Sequence, residues 1–140
     1  MSASSLHFTL DSYALLAYFE GEKGKSHIEK LLYSAESGKC VLHLSMINLG
    51  EVLYITERER GRITAIRTLA AIDQLPLHIE PVSRTLMLAA AHLKASNAIS
   101  YADAFAAATA QEFDCVLLTG DPEFRTLARA GFIKVEWLKQ

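Results

Sequence analysis

Apolar and polar positions alternate along the chain in two rhythms, one of strand period and one of helix period. In "LHFTLD", Leu6, Phe8 and Leu10 recur at every second position, the pattern of a strand with one buried face, and the run ends at Asp11. "SYALLAYFEGEKG" then predicts a short helix with a glycine-marked end. "KSHIEKLLYSAESG" predicts a second, with Ile28, Leu31, Leu32 and Ala35 at helical spacing and Gly38 at its stop. "KCVLHLS" reads as a second strand, and "MINLGEVLYITERER" and "RITAIRTLAAIDQL" as two further helices. "PLHIEPV" is a short third strand between prolines, and "RTLMLAAAHLKAS" is a helix. After the "NAIS" turn comes the alanine-rich run "SYADAFAAATA". "FDCVLLT" is a fourth strand, "GDPEFRTLARAG" is partly helical, and "IKVEWL" supplies a fifth strand.

Strands that alternate with helical segments predict a parallel sheet covered on both faces. The apolar run "CVLL" agrees, because strands buried on both faces lose their alternation. The expected fold is a three-layer α/β/α sandwich around a central parallel sheet of about five strands. No internal repeat, low-complexity tract or Pro/Ser-rich linker interrupts the chain, so residues 1–140 read as a single domain. In open parallel sheets ligands bind beyond the carboxyl ends of the strands, and that edge is where chemistry is sought.

Composition narrows the picture. With 140 residues, 51% of them hydrophobic and 21% charged, the chain can bury one substantial core without metal or disulfide staples. No stretch approaches the roughly 18 consecutive apolar residues of a membrane span. The start, "MSASSLHFTLD", carries neither a basic segment nor a long apolar one, so a cytoplasmic protein is expected. Cys40 and Cys115 lie far apart in apolar runs and read as reduced core thiols. His7, His27, His43, His78 and His92 are scattered and form no zinc-binding pattern, and no glycine-rich phosphate loop appears.

A net charge of −2 argues against a protein that coats nucleic acid by bulk electrostatics. It leaves room for a local basic strip, and "ERERGRITAIR" offers Arg58, Arg60, Arg62 and Arg67. The plainer reading of that strip is a solvated helix end with paired charges.

Four carboxylates stand out, and each has a plain structural explanation when taken alone. Asp11 closes the first strand and can cap the next helix. Glu51 sits inside a helix among Ile47, Val52, Leu53 and Ile55, one turn after Asn48. Ser100-x-x-Asp103 has the spacing of a capping box, and six alanines between Ala102 and Ala110 imply close packing around it. Asp121 precedes Pro122, a common helix start. Together they change meaning. In a parallel sheet all four can converge at one edge, where their mutual repulsion calls for a cation. Carboxylate oxygens and retained waters are the ligands Mg²⁺ or Mn²⁺ prefers.

Over nearly its whole length, from "LDSYALLAYF" through "INLGEV" and "SYADAFAAATA" to "LLTGDPEF", the chain resembles a PIN domain, in particular the small VapC-type toxins of prokaryotic toxin–antitoxin pairs. The resemblance implies a metal-dependent endoribonuclease in which Asp11, Glu51, Asp103 and Asp121 match the family's acidic quartet and hold Mg²⁺ or Mn²⁺. Ser12, Asn48 and Thr119 match its accompanying polar positions, and Ser100 precedes the third acid as its cap. It further implies an RNA substrate, a cognate antitoxin and a homodimer. Leu15, Leu16, Tyr18 and Phe19, with Leu53 and Tyr54, are candidates for an antitoxin groove, or for ordinary core packing. The five residues Met1 to Ser5 before the first strand are its one visible departure.

Other α/β phosphate chemistries fit less well. A receiver domain would place an acidic pair near the end of the first strand, and "LHFTLD" has none; a haloacid-type phosphatase would have Asp-x-Asp where this chain has "DSY". The alternative of another kind is a PIN-like binding or regulatory module that keeps the acids but acts mainly through a partner.

Overall fold

A computed structural model describes residues 6–139; the Met1–Ser5 extension lies outside the described residues. The elements run β1 (Leu6–Leu10), α1 (Ser12–Glu20), α2 (Lys25–Glu36), β2 (Cys40–Ser45), α3 (Met46–Arg60), α4 (Arg62–Ile72), β3 (Leu77–Glu80), α5 (Arg84–Ser96), α6 (Tyr101–Glu112), β4 (Val116–Thr119), α7 (Arg125–Arg129) and β5 (Val135–Trp137). The "PEF" of the partly helical segment is a single 3₁₀ turn, Pro122–Phe124, leading into α7.

All four strand pairings are parallel, in the order β3-β2-β1-β4-β5. Chain direction across the sheet therefore reverses between β1 and β4. This is the switch point at which an open α/β sheet leaves a crevice beyond its carboxyl edge. Asp11 follows β1 directly, and Thr119 ends β4, so the sequence places two polar residues on either lip of that crevice.

The two faces of the sheet carry separate cores. On one, Leu10, Leu42, Leu44 and Leu118 meet Leu15 of α1, Ile28 of α2 and Val52 of α3. On the other, Leu117 meets Leu86 and Ala90 of α5, the alanines and Phe105 of α6, and Phe124 and Leu127. Alanine dominates α6 because its residues from Asp103 to Ala110 are all buried: the helix packs with side chains of minimal height on every side. Leu15 is fully buried in the first core and is not available to a partner, which removes it from the candidate groove.

Three of the histidines, scattered in sequence, are neighbours in space. His43, 3% exposed, lies between His7 Nδ1 at 2.8 Å and the Glu80 carboxylate at 2.7 Å and stacks on Phe113, with the His78 ring tilted 5.8 Å away. The chain of contacts crosses β1, β2 and β3 and satisfies both ring nitrogens of a buried histidine. Burial lowers the pKa of His43. Cys40 is buried, whereas Cys115 is only half-buried, with its sulfur 3.1 Å from the Thr9 hydroxyl; both are free thiols.

Leu118 joins the sheet to the first core at full burial. Truncating Leu118→Ala leaves a cavity and is expected to lower unfolding stability by about 3 kcal/mol, read from urea denaturation. A change below about 1 kcal/mol would mean that the core collapses around the site.

Candidate active site

Two of the four carboxylates follow strands β1 and β4, and two ride on helices α3 and α6. Asp11 caps α1: its Oδ1 accepts the Ala14 amide at 2.9 Å, so the capping role read from sequence is real. Its Oδ2 does something else. It accepts the Thr119 hydroxyl at 2.5 Å, a bond from the end of β4 to the end of β1. The same Thr119 oxygen accepts the Asp121 amide at 3.0 Å, so one buried hydroxyl fixes both the first and the last acid of the quartet.

Glu51 and Asn48, a turn apart on α3, serve different neighbours. Glu51 accepts the Ser12 hydroxyl from α1. Asn48, fully buried, donates its amide to the Ala102 carbonyl at 3.1 Å on α6, next to Asp103. Thus α3 packs between α1 and α6 and ties both to the site. Ser100 caps α6 by accepting the Asp103 amide at 3.0 Å. That is one half of the capping box. The Asp103 carboxylate itself lies with those of Asp121 and Glu123, one oxygen of each within 4.8 Å of the others.

Glu123 was not singled out by the sequence. It sits in the 3₁₀ turn after Pro122, where its amide donates to Asp121 Oδ1 at 2.9 Å. The available signal was the Asp-Pro-Glu spacing, in which a tight turn brings the first and third side chains together. An acidic residue in a first helical turn is common enough to hide it.

Burial dominates the electrostatics. The Asp11 carboxyl is pushed from its ordinary 3.8 to about 7 by desolvation; the Thr119 and Ala14 bonds pull it down, and the charges of Asp103 and Asp121 push it up. Asp103 also rises to about 7, first by desolvation, then through Asp121, the neighbouring Glu123 carboxyl and Glu51, with Ser100 opposing. Hydrogen bonds tie the first acid to the others: Thr119 joins Asp11 to the Asp121 loop, and Ser12, next to Asp11 in the chain, holds Glu51. The closest trio is Asp103, Asp121 and Glu123, while Asp11 and Glu51 are each held by a hydroxyl. An all-oxygen, all-anionic donor set suits a hard divalent cation such as Mg²⁺ or Mn²⁺.

The basic strip is elsewhere. Arg58, Arg60, Arg62 and Arg67 are all exposed, and Arg60 lies about 14 Å along α3 from Glu51, by the rise of nine helical residues. Arg58 covers the Tyr54 ring at 5.1 Å and Arg60 approaches Glu20 at 3.9 Å, as expected of a solvated helix end.

The PIN domain family model matches residues 8–130. The chain belongs to the PIN domain family. Among solved structures, this PIN domain is similar to VapBC2 from Rickettsia felis bound to a DNA fragment from its promoter (17% identity, 94% of this chain and 98% of that one, TM-score 0.75). It is similar also to VapC20 of Mycobacterium tuberculosis, described as a Sarcin-Ricin loop cleaving toxin (20% identity, 91% and 98% covered, TM-score 0.70). VapBC-1 from nontypeable Haemophilus influenzae is a third (15% identity, 95% and 98% covered, TM-score 0.70). At these identities the likeness is one of fold. No curated protein sequence matches the chain.

The raised carboxyls make stability depend on pH in a fixed direction. Between about pH 4 and pH 7 the folded PIN domain holds more protons on Asp11 and Asp103 than the unfolded chain does, so its stability without metal falls as pH rises through that window. His43, with its lowered pKa, works in the opposite sense as pH falls below its ordinary 6.5. The diagnostic comparison is therefore with Asp103→Asn, which leaves His43 in place. Thermal melts in EDTA from pH 5 to 8 are expected to fall less steeply for the variant than for wild type; parallel curves would contradict the burial of Asp103.

Proposed function

We propose that this PIN domain is a divalent-metal-dependent endoribonuclease, the toxin of a toxin–antitoxin pair, acting in the cytoplasm. The observation that carries the reading is the meeting of Asp103, Asp121 and Glu123 at the sheet's switch point, with Asp11 and Glu51 beside them. Desolvated acids that repel one another cost stability in the free protein, and a bound cation would offset that cost. When bound, Mg²⁺ or Mn²⁺ would supply charge for the phosphate oxygens and lower the pKa of a coordinated water.

The chain's own residues divide the remaining work. Asp103, Asp121 and Glu123 would hold the ion, with Asp11, kept in place by Thr119, as a further ligand. Glu51, fixed by Ser12, is a ligand or orients the attacking water. Ser100 and Asn48 hold the first turn of α6, and with it Asp103. The antitoxin reading draws support from VapBC2 and VapBC-1, pairs named with their partners. Of the candidate groove residues, Leu16, Tyr18, Phe19 and Leu53 are partly exposed and Tyr54 is half-exposed; Leu16 lies beside Tyr13 and Lys23 in one cleft, and Leu53 and Tyr54 line another.

Mn²⁺ calorimetry and RNA cleavage test the reading together. Wild type is expected to bind Mn²⁺ saturably and to cleave RNA. Asp11→Asn and Asp103→Asn are expected to keep their far-ultraviolet circular dichroism and lose cleavage to background, with Mn²⁺ binding weakened or lost. Cleavage at the wild-type rate by either purified variant would overturn the assignment. Saturable Mn²⁺ binding with no cleavage of any RNA would favour a binding module that keeps its acids.

A further inference from the structure

The loop that carries Asp121 runs between two half-exposed aromatic rings. On one side is Tyr13, the second residue of α1, 44% exposed. Its ring lies against Gly120, where an added Cβ would collide with it, so the glycine is what lets the ring sit on the loop. On the other side is Trp137, 39% exposed, paired in register with Thr119 at the end of β5. The next amide, of Leu138, donates to the Thr119 carbonyl at 3.0 Å. Arg125, two residues beyond Glu123, places its guanidinium 5.9 Å from the Trp137 ring centre. Both rings are thus anchored by backbone contacts to Thr119–Gly120, next to Asp121, and both leave a large apolar surface in water.

We propose that Tyr13 and Trp137 are base-stacking platforms for unpaired nucleotides on either side of the phosphate held at the carboxylates. This rests on the nuclease reading above and deepens it by assigning two side chains of this chain to the substrate's bases. An aromatic ring offers every base a π-face, which binds without reading sequence. Bases inside a duplex are already stacked on one another and cannot reach two rings on opposite sides of one loop. Arg125 adds a positive charge at the rim of an otherwise acidic site, where a phosphate or a base can share it with Trp137.

Trp137 is the only tryptophan in the chain, so its own emission reports the contact. The probe is a 12-nucleotide oligo(A), with Ca²⁺ in place of Mg²⁺ to slow cleavage. Saturable quenching of Trp137 by oligo(A) is expected, and none by a blunt 12-base-pair RNA duplex at the same concentrations. By anisotropy of fluorescein-labelled oligo(A), Tyr13→Leu is expected to bind about tenfold more weakly. Tyr13→Trp is expected to bind like wild type, as is Tyr33→Leu, which alters an exposed ring on α2 outside the site. Absence of quenching, equal quenching by the duplex, or wild-type affinity in Tyr13→Leu would each overturn the proposal. So would a Tyr13→Leu protein that loses only a protein partner. Cleavage of total RNA in Mn²⁺, measured alongside, separates the two readings: cleavage without quenching overturns stacking alone, and quenching without cleavage overturns the nuclease alone.

Discussion

The hydrogen bond from Thr119 to Asp11 is the contact on which the arrangement of this molecule turns. It joins the ends of β1 and β4, the two strands between which the direction of the sheet reverses. At a switch point the flanking helices part and leave a crevice beyond the strand ends. A buried hydroxyl and a buried carboxylate can face each other there only because each satisfies the other. The other oxygen of Asp11 accepts an amide in the first turn of α1, and the Thr119 oxygen accepts the Asp121 amide. One bond thereby sets a helix axis, a loop and two acids.

The other acids arrive by a different physical route. Glu51 and Asp103 come from helices, and helices are placed by packing. Asn48 of α3, reaching the backbone of α6 beside Asp103, converts that packing into a fixed distance between carboxylates. The result is a site whose position is dictated by a core and whose charge the core resists. Desolvation is the largest influence on both Asp11 and Asp103, ahead of any single neighbouring charge. Close-packed surroundings are the reason the acids are both well aimed and electrostatically unsettled.

Much of this was legible in the sequence because periodicity reports burial. Alternation in "LHFTL", its absence in "CVLL", and helical spacing in "KSHIEKLLYSAESG" specified strands, helices and a parallel sheet, and the carboxyl edge followed from topology. The acids at strand ends were legible for the same reason. What periodicity cannot show is contact between side chains far apart in the chain. The pairing of Ser12 with Glu51, the division of labour between Asn48 and Glu51, and the line of His7, His43 and Glu80 across three strands all depend on register. Glu123 was hidden differently. A 3₁₀ turn brings its carboxylate beside Asp121, and a helical start leaves the same residues in the same order. Leu15 shows the converse: of the two readings its apolar side chain allowed, burial selects core packing.

The alanines of α6 carry a consequence for how this sequence can drift. Ala104, Ala106, Ala107, Ala108 and Ala110 are at most 2% exposed, so the helix lies as near to the sheet and to α5 as its backbone allows. Side-chain height along α6 therefore acts as a spacer for Asp103, which rides on the first turn of the same helix. A single added methyl group on the buried face could be absorbed by a small outward shift, at a modest loss of stability. The same shift would open the gap between Asp103 and Asp121. Variation in this helix is limited by the tolerance of a cluster of oxygens at its tip, a stricter condition than the tolerance of the core that surrounds it.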